Sequence, residues 1–322
     1  MTSRLCLVYQ SNAPVVSSDA MLLSERYAVD SFEYRGLKDV PSLFRGVGEA
    51  DLTISWFALG HATATVLLSK FFHRPSVVFI GGWDVAAMPE IPYGAMLSAT
   101  RRRKTIWTLQ NSDIVLAPSD ASRQETLRWT NREVQVLPLG VDTDFFQPPE
   151  LKEVLVVTAA SVSYSPTIRT KGLDVLFQVA RHLPETQFVI AGRQNPQMLH
   201  HLQMMAGPNV QFVGWLERED LRALFRRANV YAQLSAHESF GLALAEAMAC
   251  GCTPVVSDRG ALPEVVGDAG SVVAYGDITA ATRAISAALV TGISQTPRNR
   301  IMQAFPLSRR RDELLRILEA LT

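Results

Sequence analysis

From Ser235 to Val266 the chain reads S-A-H-E-S-F-G-L-A-L-A-E-A-M-A-C-G-C-T-P-V-V-S-D-R-G-A-L-P-E-V-V, and its centre is an apolar helix holding one charged residue. Leu242, Ala243, Leu244, Ala245, Ala247, Met248 and Ala249 leave no polar face, so the helix is expected to be buried on nearly all sides. Glu246 is then a carboxylate inside a packed element. An unpaired buried ion is costly and no cation lies within helical reach, so the expected partner is a ligand.

The residues before the helix suit that ligand. An apolar strand from Val230 to Leu234 leads into a short loop carrying His237, Glu238, Ser239, Phe240 and Gly241. The free N–H groups of Phe240, Gly241 and Leu242 then stand at a helix N-terminus above a strand's carboxyl end, a favourable place for phosphate. Gly241 has no Cβ to hold a ligand off the backbone. Glu238 and Glu246 are about 12 Å apart along the axis. One extended ligand, with hydroxyls near both ends and a diphosphate between, can use both carboxylates, and nucleotide sugars have that shape.

Glu238 and Glu246 with Ser239, Phe240 and Gly241 resemble the E-x7-E signature of glycosyltransferase family 4, and Gly251 to Val266 is similar to that family's next segment. The resemblance implies an α/β chain of GT-B fold, with two doubly wound Rossmann-like domains facing a central cleft. It implies a retaining transferase that moves a sugar from a nucleotide diphosphate sugar to a glycan, glycolipid or small-molecule acceptor held mainly by the first domain. In this reading the donor is the substrate and no cofactor is needed. A degenerate sugar-nucleotide binder and a sugar-nucleotide epimerase of the same fold are the alternatives.

At 322 residues the chain suits two α/β domains. They are expected over residues 1–138 and 150–307, with a hinge over 139–149 and a helix over 308–322 that the resemblance has packing back on the first domain. The 31 Lys and Arg balance 31 Asp and Glu, so no global field attracts nucleic acid. Cys6, Cys250 and Cys252 cannot all pair with one another, and they read as small packed residues. No apolar run is long enough to span a bilayer and the N-terminus reads as a strand, so the expected location is cytoplasmic. No G-x-G-x-x-G follows any strand, which argues against a Rossmann dehydrogenase.

In the first half, Leu5 to Tyr9 reads as a buried strand and the loop from Gln10 to Asp19, with Asn12 and Pro14, lacks glycine. A helix is expected over Ala20 to Tyr27. The strand Pro75 to Ile80 ends in Gly81, Gly82, Trp83 and Asp84, the pattern of a cleft-facing loop. Asp84 is read either as a site residue holding a donor hydroxyl or as a helix N-cap. Arg101, Arg102, Arg103 and Lys104 form the dense basic run, which is either a solvated face or a contact with an anionic membrane surface.

The segment Leu139 to Pro149 has linker composition and resembles the family's G-V-D-x-x-x-F-x-P hinge. Asp142 and Asp144 form a D-x-D pair in it, a weak metal signal away from any strand end. In the second half, a polar loop from Ser161 to Thr170 meets Lys171-Gly172 at a helix start, where an ammonium can sit on a diphosphate. Lys171 matches the family's phosphate-binding K-G. The family's arginine five residues earlier is replaced by Pro166, which leaves Arg169 as the available guanidinium.

Overall fold

The computed structural model describes residues 3–11, 13–291 and 294–321. Asn12 of the first loop lies outside the described residues. The chain divides into two compact units, one of Met1–Leu139 with Ser308–Thr322 and the other of Gly140–Leu307.

Unit 1 alternates strand and helix: β1 (Arg4–Tyr9), α1 (Pro14–Ser24), β2 (Ala28–Glu33), α2 (Val40–Glu49), β3 (Leu52–Trp56), α3 (Gly60–Phe72), β4 (Ser76–Phe79), α4 (Ala99–Asn111), β5 (Ile114–Ala117), α5 (Asp120–Leu127) and β6 (Gln135–Val136). All six strands are parallel, in the order β2-β1-β3-β4-β5-β6. Every residue of β3 and β4 is buried, as helices on both faces of a parallel sheet require.

Unit 2 repeats the plan with β7 (Glu153–Ala159), α6 (Pro166–Thr170), α7 (Leu173–His182), β8 (Gln187–Ala191), α8 (Pro196–Met205), β9 (Val210–Gly214), α9 (Arg218–Arg227), β10 (Ala228–Gln233), α10 (Leu242–Ala249), β11 (Thr253–Ser257), α11 (Leu262–Val266), β12 (Ser271–Val273), α12 (Ile278–Thr291) and α13 (Thr296–Ala304). Its parallel sheet runs β12-β11-β10-β7-β8-β9, so β10 and β7 are neighbours at the centre and their carboxyl ends lie side by side. Val156, Ile190, Val230 and Val255 fill the core between this sheet and its helices.

The last helix, α14 (Leu307–Glu319), belongs almost wholly to unit 1. Leu314 and Leu318 join the core of Leu7, Ile54, Trp56 and Phe79. Beside them Arg310, 3% exposed, donates through Nε and Nη2 to both oxygens of Asp19, at 2.8 and 2.7 Å. Its Nη1 donates to the carbonyls of Leu137 and Pro138. Trp56 Nε1 also donates to Asp19 Oδ2, so this buried carboxylate is engaged by groups from two other segments, α14 and β3.

Several elements differ from the sequence expectation. The helix expected over Ala20 to Tyr27 is α1, which starts at Pro14 because proline's missing N–H is harmless at the first helical position. The polar loop Ser161 to Thr170 contains α6, again opened by a proline. The segment after Leu139 is bound into unit 2: Val141 pairs with Pro306, and Arg298 donates to the carbonyls of Thr143 and Phe146. Asp142 accepts from Arg218 at 2.9 Å and from the Phe145 N–H. Among the described residues, no group of three or more His, Cys, Asp or Glu is arranged to hold a metal ion. Among the described residues, no helix is long and apolar enough to cross a membrane.

Candidate active site

Lys171, Glu238 and the start of α10 meet at the carboxyl end of the unit 2 sheet. Gly172 makes that possible. Its φ of 66° is left-handed, and a Cβ there would run into the Leu234 carbonyl at the end of β10. The chain ahead of α7 therefore packs directly on the exit of β10, and the Ala236 N–H donates to Thr170 O at 2.9 Å.

This contact brings Lys171 Nζ to 3.0 Å from Glu238 Oε2. The same oxygen accepts from Gln233 Nε2 at 2.7 Å, and Oε1 accepts from the Ser239 N–H at 3.2 Å. The Glu238 side chain is 14% exposed and that of Lys171 31%. Burial pushes the Glu238 carboxyl up, but the charge and hydrogen bond of Lys171 outweigh it and hold the group below the usual carboxylate range.

At the N-terminus of α10, Gly241 has φ 93° and turns the loop into the helix. Phe240 is 1% exposed, with its ring edge-on to Phe305 at 5.3 Å, and anchors this turn in the unit 2 core. The N–H groups of Phe240, Gly241 and Leu242 make no hydrogen bond among the described residues. They are donors at the positive end of a helix, next to an ammonium.

The sequence reading had α10 buried on nearly all sides, and the structure corrects this. Leu244, Ala245, Ala247, Met248 and Ala249 are buried, while Leu242, Ala243 and Glu246 are half-buried along one stripe. The Glu246 carboxyl has no hydrogen-bond partner among the described residues. Burial pushes it up to about 8, with Arg218 pulling weakly the other way. At neutral pH it is a carboxylic acid that can both donate and accept.

That shift fixes the sign of a stability effect. The unfolded chain releases this proton near 4.5 and the folded chain holds it to about 8, so across that window the folded state binds more protons and stability falls as pH rises. In Glu246→Gln this component is absent. Urea unfolding at pH 5.5 and 8.5 is expected to show a smaller loss of stability for the variant than for the wild type, and equal losses would show that Glu246 titrates normally.

Arg169, at the end of α6, is exposed two residues before Lys171, and its carbonyl accepts from the Tyr275 hydroxyl at 3.4 Å. Asp84, in unit 1, has a structural task. Its Oδ2 accepts from the Ala58 N–H at 2.7 Å, and its Oδ1 from Gly82 and Gly81 at 2.8 and 3.1 Å. The side chain is fully buried, and burial raises its pKa against the pull of those amides. Its carboxylate ties the Gly81–Gly82 turn to the end of β3 and has no exposed oxygen left for a donor hydroxyl, which removes it from the catalytic residues. Trp83 is half-buried, with Arg101 5.4 Å above its ring.

Gln233 was missed from the sequence. A carboxamide in the otherwise apolar run Val230 to Leu234 was the available signal.

Residues 158–304 match the family of glycosyl transferases group 1. The chain is 30% identical over 210 residues to the lipopolysaccharide core biosynthesis mannosyltransferase of Rhizobium leguminosarum bv. viciae, covering 59% of this chain and 58% of that protein. It is 33% identical over 180 residues to a D-inositol 3-phosphate glycosyltransferase of Xylanimonas cellulosilytica, covering 49% and 43%. The chain thus spans about half the length of the curated relatives it matches. Among solved structures, Anabaena HepE in complex with UDP and glucose aligns with TM-score 0.81 and 18% identity over 99% of this chain and 100% of that one. Sucrose-phosphate synthase from Thermosynechococcus elongatus aligns with TM-score 0.76 and 19% identity over 99% and 100%. Residues 158–304 thus resemble the glycosyl transferases group 1, and the two parallel-sheet units have the GT-B fold.

Proposed function

We propose that this protein transfers a sugar from a nucleoside diphosphate sugar to an acceptor hydroxyl with retention of anomeric configuration. The observation that carries the proposal is the convergence of Lys171, three unused N–H groups and Glu238 around the start of α10. The relatives that are named mannosyltransferase and glycosyltransferase, and the HepE complex with UDP, support the same reading.

In this reading the bond from the sugar C1 to the diphosphate breaks and one to the acceptor oxygen forms. Lys171 and the N–H groups of Phe240, Gly241 and Leu242 receive the charge that develops on the diphosphate, with Ser239 and Arg169 beside it. Preorganised donors of this kind act without reorganisation at the moment of reaction. Glu238 lies by the sugar, where positive charge develops, and Glu246 holds ribose hydroxyls. No metal takes part.

A panel of nucleoside diphosphate sugars tests the reading. Release of the nucleoside diphosphate from at least one donor, retained in EDTA, is expected. No release from any donor overturns the transferase, and loss in EDTA with rescue by magnesium or manganese overturns the metal-free mechanism. Epimerised sugar without transfer would point to the epimerase.

The acceptor side is proposed to touch an anionic membrane surface. Arg101, Arg102, Arg103 and Lys104 are all exposed at the start of α4, and α3 and α4, which pack together, carry these four and Lys70 with no acidic residue. On the adjoining helices Phe44, Leu67 and Phe71 are 45, 57 and 67% exposed. Each cation near anionic lipid contributes about 1 kcal/mol. Sedimentation with phosphatidylserine vesicles is expected to drop when the four residues are replaced by Gln, and unchanged or absent binding returns the run to a solvated face.

A further inference from the structure

Gln233 is the last residue of β10, 4% exposed, in a strand whose every residue is buried. A carboxamide is an expensive choice there. Among the described residues its Oε1 has no hydrogen-bond partner, while its Nε2 is 2.7 Å from Glu238 Oε2. The amide's only hydrogen bond among the described residues is therefore to the carboxylate, on the very oxygen that Lys171 also holds.

The two donors differ in freedom. The Lys171 side chain is 31% exposed and ends in a flexible ammonium, whereas Gln233 is locked in the sheet. A diphosphate arriving at the start of α10 competes with Glu238 for the ammonium, and a doubly charged group wins it. We infer that Gln233 is a positioning residue that keeps Glu238 oriented and ionised once Lys171 has turned to the donor's diphosphate. The inference rests on the transferase reading for its purpose but not for its geometry.

The other groups that face Glu238 do not replace this bond. Tyr231 of β10 and His237 of the same loop are its titratable neighbours besides Lys171, and Glu246 stands further along α10. The segment between β11 and α11 meets the loop through the Ala261 N–H, which donates to Glu238 O at 2.9 Å, and through the close approach of Gly260.

The test titrates Glu238 by NMR in protein whose glutamate is labelled at the side-chain carboxyl carbon, with the signal assigned by its loss in Glu238→Gln. UDP, GDP and ADP serve as probes. With a bound nucleotide, Glu238 of Gln233→Leu is expected to titrate about one pH unit higher than in wild type, the size of one hydrogen bond to a charged group. Without nucleotide the difference is smaller, because Lys171 still holds the carboxylate. Kinetically, kcat falls about tenfold, its acid limb moves up by the same amount, and the donor KM stays within about twofold.

An unchanged titration in the nucleotide complex overturns the inference, as does a rise that is equal with and without nucleotide. Gln233→Met carries the same test if the leucine variant does not fold. In the wild type itself, the Gln233 side-chain NH2 resonance must follow the Glu238 titration in the nucleotide complex, and independence overturns the inference without any variant. A protein that binds nucleotide but turns over no donor sinks the transferase reading alone. If no probe binds, both fall together.

Discussion

Glu238→Gln is expected to lower kcat about 10²-fold, the loss typical of removing one preorganised electrostatic group from a transition state. The substitution keeps the side chain's size and both of its neighbours, Lys171 and Gln233, so the loop has little reason to move. In the proposed reading, what disappears is the negative charge next to the sugar carbon as the diphosphate leaves. The donor KM is expected to hold or fall, because Lys171 is no longer shared with a carboxylate. Glu246→Gln is expected to do the reverse, raising KM with little change in kcat, since ribose hydroxyls experience no charge change during reaction. Steady-state kinetics on both folded variants decide the matter. If the split ran the other way, the donor would lie along α10 in the opposite direction.

The second large effect is on stability. Arg310→Met leaves Asp19, 1% exposed, as a buried carboxylate with Trp56 as its remaining hydrogen-bond donor among the described residues. Breaking a buried pair in this way costs about 3–5 kcal/mol, more than the pair itself contributes, because the surviving ion is stranded. Adding Asp19→Leu to Arg310→Met is therefore expected to recover most of the loss. Two units need not unfold in one transition, so the readout must belong to unit 1. Tryptophan fluorescence serves, since Trp56, Trp83, Trp107 and Trp129 are in that unit and Trp215 alone is not. A guanidinium midpoint shared by wild type and Arg310→Met would mean that water reaches Asp19.

The strands were legible because parallel strands buried on both faces are apolar runs, and the expected strand Leu5 to Tyr9 falls within β1. Helices opened or interrupted by Pro and Gly were not: α2 carries Pro41, Gly46 and Gly48, and α8 begins at Pro196. Their helical state is decided by packing on the sheet, which local propensity does not contain. The same division runs through the candidate site. Lys171, Glu238, Gly241 and Glu246 were readable because each sits at a strand or helix end with a local signal. The bond between Lys171 and Glu238 joins residues 67 apart, and it depends on β10 lying beside β7 in the sheet, which no local pattern states. Asp84 misled for a related reason: an acid after two glycines has the same sequence signature whether it faces a ligand or binds the turn's own amides.

The Arg310 to Asp19 pair spans 291 residues, and this sets an order of events on the ribosome. Unit 2 is one continuous stretch and can finish folding once Leu307 has emerged. Unit 1, although its sheet is synthesised first, is left with a stranded acid at Asp19 and a gap where Leu314 and Leu318 belong. Domains that are contiguous fold as units in the order they are made. Here the earlier half must wait for α14, so a nascent chain that has emerged only as far as Leu307 would hold a completed unit 2 and an N-terminal unit still open to proteases and chaperones.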